Sequence, residues 1–309
     1  MAVSGTGKRT SANVDVYLDP LPLDPNDVQV KNVTTSGMEM EWKRLTDTYY
    51  QYIIIQFQCQ ENETDDGACS KTTKTNNSNN FQSIDGLIPG AIYDMRLFSK
   101  TIHNRTSTEV SIKHAIFPEF PVNVTDPEEN DTSIMISWEK PMGVVAKYKI
   151  EINPAMMTES DRSSFSNDGM SVFYITETTL NLNKANFYPG FIYNVTLNSV
   201  NGHGNLSLPV PRDVRRQIEP PGNFRNETQT TSNFTLRWIK PFGYVTHYEL
   251  TIWENYTTLR NKIRLDNNQT GFLQPNCIPG EFYNSTLTAF SNTGNSQVIS
   301  AKIDPDRTD

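Results

Sequence analysis

Apolar and polar residues alternate along most of this 309-residue chain, in short runs broken by Pro, Gly and Asn. A period of two is the mark of a half-buried β-strand, and helical spacing is scarce. Ile134, Ile136 and Trp138 share one face against Ser133, Met135 and Ser137. Tyr148, Ile150 and Ile152 share another, with Lys149 and Glu151 outward, and Tyr193, Val195 and Leu197 continue the pattern. It returns in Phe234, Leu236 and Trp238, in Tyr248, Leu250 and Ile252, and in Tyr283 and Leu287. Short strands separated by turn residues at intervals of about 8–12 predict antiparallel β-sandwiches.

The alternation is organised by two repeated markers. W-x-x-P-x-G-x-x-x-x-Y occurs as Trp138, Pro141, Gly143, Tyr148 and again as Trp238, Pro241, Gly243, Tyr248. Trp42 and Tyr52 keep the same separation, but Leu45 and Asp47 replace the Pro and Gly. The second marker is Pro89-Gly90 before Tyr93, Pro189-Gly190 before Tyr193 and Pro279-Gly280 before Tyr283. A recurrence of about 90–100 residues exceeds a solenoid repeat and suits whole small domains. Proline-bearing junctions then delimit 21–117, 118–218 and 219–309. Residues 1–20 read as the final hairpin of a truncated upstream repeat: Ala2 to Gly7 resembles Ala289 to Gly294, which ends the third.

The first repeat is less regular. Ile53, Ile54 and Ile55 run together, which fits either a bulge that switches faces or a strand covered on both sides. The polar run Lys71 to Asn80 and the segment Pro154 to Ser171 read as loops or irregular edge strands.

Composition narrows the setting. A net charge of −8 and a pI near 5.1 disfavour nucleic acid or an anionic membrane surface as partner. No apolar run approaches the ~20 residues that span a bilayer, and the N-terminus lacks the features of a secretory signal. N-x-S/T acceptors nevertheless begin at Asn32, Asn62, Asn76, Asn104, Asn123, Asn130, Asn194, Asn205, Asn226, Asn233, Asn255, Asn268 and Asn284. With 31 Asn and 56 Ser plus Thr in the chain, chance gives about six such motifs. Twofold enrichment predicts a glycosylated chain of the secretory pathway, and alternation turns Asn194 and Asn284 outward. A fragment of a longer extracellular array reconciles the acceptors with the missing signal.

Candidate chemistry is sparse. Cys59 and Cys69 flank an acidic loop and can close a hairpin as a disulfide in an oxidising compartment. Cys277 stands where Leu87 and Phe187 stand in the sister repeats, which predicts a core thiol; a reactive or intermolecular thiol is the alternative. His103, His114, His203 and His247 lack metal-ligand spacing. Asp126, Glu128, Glu129 and Asp131 lack a calcium ligand ladder and read as a solvated turn. Arg212, Arg215 and Arg216 form a basic knot that is either an ordinary solvated strand or a contact for a glycosaminoglycan-like polyanion. Trp253 falls outward beside the acceptor Asn255, either as a recognition anchor or packed on a glycan or neighbouring module. No nucleophile, base and orienting acid recur at recognisable spacing, and no cofactor is implied.

At the markers the three units resemble fibronectin type III modules. The resemblance implies that Trp42, Trp138 and Trp238 fill sandwich cores. It also implies that Tyr93, Tyr193 and Tyr283 are the tyrosine corners, whose hydroxyls bond nearby backbone. The expected architecture is all-β: three tandem, immunoglobulin-like antiparallel sandwiches in an extended array. W-x-x-P-x-G-x-x-x-x-Y is similar to repeats in ectodomains of receptor-type tyrosine phosphatases. That likeness implies non-catalytic adhesion or recognition of an extracellular protein ligand or cell-surface receptor, outside the plasma membrane. A secreted matrix protein of the tenascin kind is the alternative. Neither a His-Cys phosphatase loop nor Arg-Gly-Asp is present.

Overall fold

The computed structural model describes residues 20–45, 50–60, 69–76, 78–155 and 171–303. The hairpin expected over 1–20, the acceptor Asn62 and most of the Pro154–Ser171 segment lie outside them. Apart from the 3-10 turn Lys184–Asn186, the regular structure is β-strand. The chain divides into two compact units between Phe117 and Pro118.

The first unit holds β1 (Gln29–Lys31), β2 (Gly37–Glu41), β3 (Tyr50–Cys59), β4 (Ser70–Asn76), β5 (Phe81–Asp85), β6 (Ile92–Thr101) and β7 (Val110–Ala115). They form a three-stranded sheet, β1-β2-β5, and a four-stranded one, β4-β3-β6-β7, both antiparallel. The run Lys71 to Asn80 therefore contributes an edge strand, β4. A disulfide ties Cys59 at the end of β3 to Cys69, with Cα atoms 4.9 Å apart. Closing about ten residues this way contributes on the order of 3 kcal/mol by the chain-entropy estimate.

Tyr52 does not take the inward place that its distance from Trp42 predicts. Ile53 pairs with Ser99, as Tyr148 pairs with Ser199 in the next sandwich, so Ile53 is the true counterpart. The register slips at a bulge between Tyr50 and Tyr52. Ile53, Ile55 and Phe57 consequently face the core, while Tyr52 lies half-buried under the Lys74 ammonium, 3.6 Å from its ring centroid.

The second unit repeats the plan twice. One sandwich is built from β8 (Glu128–Glu129), β9 (Ser133–Ser137), β10 (Lys147–Pro154), β11 (Ser171–Ile175), β12 (Thr179–Asn183), β13 (Ile192–Val200) and β14 (Val210–Arg215). Its sheets run β12-β9-β8 and β11-β10-β13-β14. The other uses β15 (Gly222–Gln229), β16 (Phe234–Ile239), β17 (His247–Glu254), β18 (Thr258–Asp266), β19 (Gly271–Gln274), β20 (Tyr283–Ser291), β21 (Gly294–Asn295) and β22 (Ile299–Ile303). Here β15-β16-β19 faces β18-β17-β20, and both β21 and β22 pair with β20.

The cores form as period two dictates. Ile134, Ile136 and Trp138 from one sheet meet Tyr148, Ile150, Ile152, Tyr193, Val195 and Leu197 from the other. Phe234, Leu236 and Trp238 meet Tyr248, Leu250, Ile252, Tyr283 and Leu287 in the same way. Trp42, Trp138 and Trp238 are all buried. Each corner tyrosine accepts a hydrogen bond from the backbone N–H five residues earlier: Ile88 to Tyr93, Tyr188 to Tyr193 and Ile278 to Tyr283, each 2.9 Å. The intervening Gly90, Gly190 and Gly280 have φ of 76°, 86° and 82°, a left-handed conformation in which a side chain is strained.

A third repeated device was not expected. Buried Ser107, Ser207 and Ser296 each accept a backbone N–H across the final hairpin, from Ser99, Ser199 and Ala289 at 3.0–3.1 Å. Each hydroxyl in turn donates to the carbonyl of the next residue at 2.9 Å.

Two buried phenols of the third sandwich should respond oppositely to loss of the hydroxyl. The Tyr248 hydroxyl closes no hydrogen bond, and burial pushes its pKa up to about 12, partly offset by the Trp238 indole. Tyr248→Phe should leave stability unchanged or raised in denaturant unfolding of the full chain. Tyr283→Phe strands the Ile278 N–H and should cost about 1–3 kcal/mol. Equal losses from the two would contradict the assignment.

Candidate functional site

The core tryptophans and corner tyrosines are buried, and the outward sheet faces are among the surfaces left for recognition. The residue after each corner tyrosine points outward and differs among the sandwiches: Asp94, Asn194 and Asn284. In the second and third it is a glycan acceptor, on β13 and on β20 respectively. In the first it is a carboxylate, and the face around it is a polar concavity lined by Gln56, Gln58, Gln60, Lys71, Asp94 and Arg96. Gln60 donates its side-chain amide to Asp94 at 2.8 Å, and Arg96 reaches Glu109 at 3.9 Å. Gln56 and Gln58 come from β3, Lys71 from β4, and Asp94 and Arg96 from β6, so the strand ladder fixes the spacing of these five, while Gln60 follows directly after β3.

None of the twelve described acceptor asparagines is buried. Asn32, Asn76, Asn104, Asn123, Asn130, Asn194, Asn255 and Asn268 are exposed; Asn205, Asn226, Asn233 and Asn284 are half-buried. Asn32, Asn104, Asn123 and Asn255 occupy left-handed turn positions, with φ of 47°, 67°, 50° and 46°. Trp253 is half-buried rather than exposed, and it pairs across the strands with Asn284. Directly opposed side chains in an antiparallel pair lie about 5 Å apart, so this indole adjoins a second acceptor besides Asn255.

The charged residues are engaged locally. Asp126, Glu128, Glu129 and Asp131 are all exposed, as a solvated cluster requires, but Glu128 and Glu129 pair with β9 as the two-residue strand β8, and Glu129 receives Lys184 and Arg216 at 2.5 and 3.0 Å. Arg212 donates to the Val124 carbonyl at 2.6 Å and lies 3.7 Å from Asp126, and Arg215 reaches Asp213 at 3.5 Å. All three arginines of the basic knot thus have carboxylate partners. His103 and His203 are exposed and His114 is half-buried. His247 stacks on Phe290 with centroids 4.6 Å apart, and burial, together with Arg264, lowers its pKa. Among the described residues no group of three or more His, Cys, Asp or Glu could hold a metal ion.

Inside the second unit, the turn after Trp238 packs on the turn before Tyr193. The Tyr244 N–H donates to the Pro189 carbonyl at 2.9 Å, and Thr293 donates its hydroxyl to the Arg216 carbonyl at 3.0 Å. Tyr188 meets Phe242 and Phe191 meets Tyr244, with ring centroids 5.5 and 4.9 Å apart. The two sequence markers are therefore also the two halves of a joint between sandwiches, a role that alternation within each repeat does not reveal.

Three two-sheet sandwiches, each with a buried tryptophan in or directly after its second strand and a tyrosine corner, define fibronectin type III architecture. Residues 118–213 and 219–305 match the fibronectin type III domain, and the chain belongs to that family. It is 25% identical over 324 residues to tyrosine-protein phosphatase Lar of Drosophila melanogaster, covering 95% of this chain and 14% of that protein. Receptor-type tyrosine-protein phosphatase H of Homo sapiens is 26% identical over 231 residues, covering 74% of this chain and 19% of the relative. Tenascin of Gallus gallus is 22% identical over 241 residues, covering 78% and 12%. The chain thus spans less than a fifth of the length of each of these relatives.

Cys277 is free and half-buried against the third core, with its sulfur 3.6 Å from the Gln274 carbonyl. Burial raises its thiol pKa, against a smaller opposing pull from Arg260. The thiolate is the reactive form, so iodoacetamide at pH 8 should modify Cys277 at least tenfold more slowly in the folded chain than in the unfolded one. Equal rates by mass spectrometry would restore the reactive-thiol reading.

Proposed function

We propose that this chain is a set of non-catalytic extracellular recognition modules, bounded at 21–117, 118–218 and 219–309, from a cell-surface protein of the receptor-type tyrosine phosphatase kind. Its ligand is an extracellular protein or a cell-surface receptor, bound on the outward β4-β3-β6 face of the first module. One observation carries the reading: the position after the corner tyrosine is a glycan acceptor in the second and third modules and Asp94 in the first. Sugar on Asn194 and Asn284 masks two of the three equivalent positions; in the first module the acceptor of this face, Asn76, stands opposite Tyr52, at the other end of β4 from Ser70, and leaves the Asp94 end open. Glycosylation of the surface asparagines and the Cys59–Cys69 disulfide fit an oxidising secretory route. The paired arginines leave little free positive charge for a glycosaminoglycan.

A secreted matrix protein of the tenascin kind is the second reading, favoured by the match to Gallus gallus tenascin. Transcript sequence downstream separates the two. A membrane span followed by a phosphatase domain supports the receptor, and further type III repeats to a secreted end support the matrix protein.

The binding face is tested by placing sugar on it. The chain secreted from eukaryotic cells should lose mass on N-glycosidase treatment and bind a responsive cell line saturably. Asp94→Asn with Arg96→Thr creates an acceptor on the open face and should weaken that binding at least tenfold. Unchanged affinity of the glycosylated variant would remove this face from consideration.

A further inference from the structure

One rung of the third sandwich sets an acceptor asparagine between an indole and an ammonium. Trp253 of β17 pairs with Leu259 of β18 on one side and with Asn284 of β20 on the other. Asn284 pairs in turn with Lys302 of β22. Their strand neighbours Ile252, Tyr283, Ser285, Ala301 and Ile303 are buried, so Trp253, Asn284 and Lys302 face outward together.

The surroundings of this rung are apolar. Leu259 is 57% exposed, and Tyr256, in the turn that follows β17, is 54% exposed. Tyr256 holds φ of 63°, a left-handed conformation that is costly for an aromatic residue. The Lys302 ammonium leans toward the Tyr256 ring, 5.9 Å from its centroid, and among the described residues no cation lies on the indole. The two acceptors beside Trp253 differ in what their amides do. Asn255 donates its side-chain amide to the Glu281 carboxylate. The Asn284 amide has no hydrogen-bond partner among the described residues, and it stands directly opposite the indole.

We propose that Trp253 is the stacking platform for the first N-acetylglucosamine of a glycan on Asn284. Transfer from a lipid diphosphate donor joins the sugar C1 to the Asn284 Nδ2. The diphosphate leaves with its bonding pair, and the displaced amide proton passes to a base. A pyranose ring has a face built of C–H bonds, whose partial positive charge suits the negative face of an indole. A separation of about 5 Å between directly opposed side chains brings that first ring over Trp253, with Tyr256 and Leu259 at its border. The sugar is thereby held on the sheet instead of swinging free of it. Acceptors on the equivalent faces lack such a platform. Asn194 is opposed by Asn153 and Asp213, and Tyr52, opposite Asn76, carries the Lys74 ammonium on its ring at 3.6 Å. The inference rests on glycosylation of the chain and is independent of what the first module binds.

The test reads sugar and indole against each other by NMR. The full chain is secreted from cells that leave oligomannose glycans and is trimmed by an endoglycosidase to one isotope-labelled N-acetylglucosamine per site. Thr286→Ala and Thr196→Ala, which remove the acceptors at Asn284 and Asn194, assign the two sets of signals. Ring protons of the sugar on Asn284 should resonate upfield of those on Asn194, and Trp253→Leu should return them to the Asn194 positions. Exchange protection of the Leu250 and Leu287 amides shows whether that variant is folded. If it is not, the indole N–H signal of Trp253 decides: it should move in Thr286→Ala and stay in Thr286→Ser, which keeps the acceptor. Sugar protons unmoved by Trp253→Leu in a folded chain, or an indole signal alike in both Thr286 variants, overturn the platform and leave glycosylation standing. An empty Asn284 in glycopeptide mass spectrometry overturns the platform through the glycosylation reading instead.

Discussion

The hydrogen bond from a turn N–H to a buried tyrosine hydroxyl is the constraint on which this chain is built. It recurs at the same length in all three sandwiches, and in each it bridges a proline and a left-handed glycine. A buried N–H without a partner costs about 1–3 kcal/mol, so the turn and the tyrosine hold each other in place. Two consequences follow from one bond. The strand that begins at the tyrosine enters its sheet at a fixed point, which sets the outward residue beside it as Asp94, Asn194 or Asn284. The turn itself becomes a rigid ledge, and in the second sandwich the third is packed upon it.

That arrangement divides interior from exterior sharply. The core tryptophans and corner tyrosines are buried, and the charged residues of the second sandwich pair among themselves through Glu129, Asp126 and Asp213. The exterior that remains carries acceptor asparagines and exposed apolar residues such as Met142, Leu208 and Phe242, and it varies from one module to the next. Membership of the fibronectin type III family fits this division, since its modules share one scaffold while their faces differ.

Much of the fold was legible because the two markers and period-two alternation agree in the second and third repeats. Trp138, Trp238 and the three tyrosines after Pro-Gly were marked by spacing, and the resemblance to fibronectin type III modules implied their core and corner roles. Tyr52 could not: with Ile53, Ile54 and Ile55 all apolar, alternation carries no phase, and the bulge before Tyr52 shifts the register unseen. The serines at 107, 207 and 296 were missed because serine is abundant and small. Their signal is a Ser thirteen or fourteen residues after each corner tyrosine, three before a Val or Ile. The joint was missed for a different reason. Gly190 and Gly243 are explained by their own turns, and only coordinates show that the two turns meet. The ion pairs of the exposed Glu129 were likewise missed because both of its cationic partners lie far along the chain.

Native-state hydrogen exchange of the Ile88, Tyr188 and Ile278 amides tests the central constraint most directly. If the corner bond fixes each turn, these three exchange only through unfolding of their sandwich, as slowly as the central strand amides of Leu97, Leu197 and Leu287. Exchange at the rate of exposed loop amides would show that the turns open freely, and the account of both face and joint would fail with them.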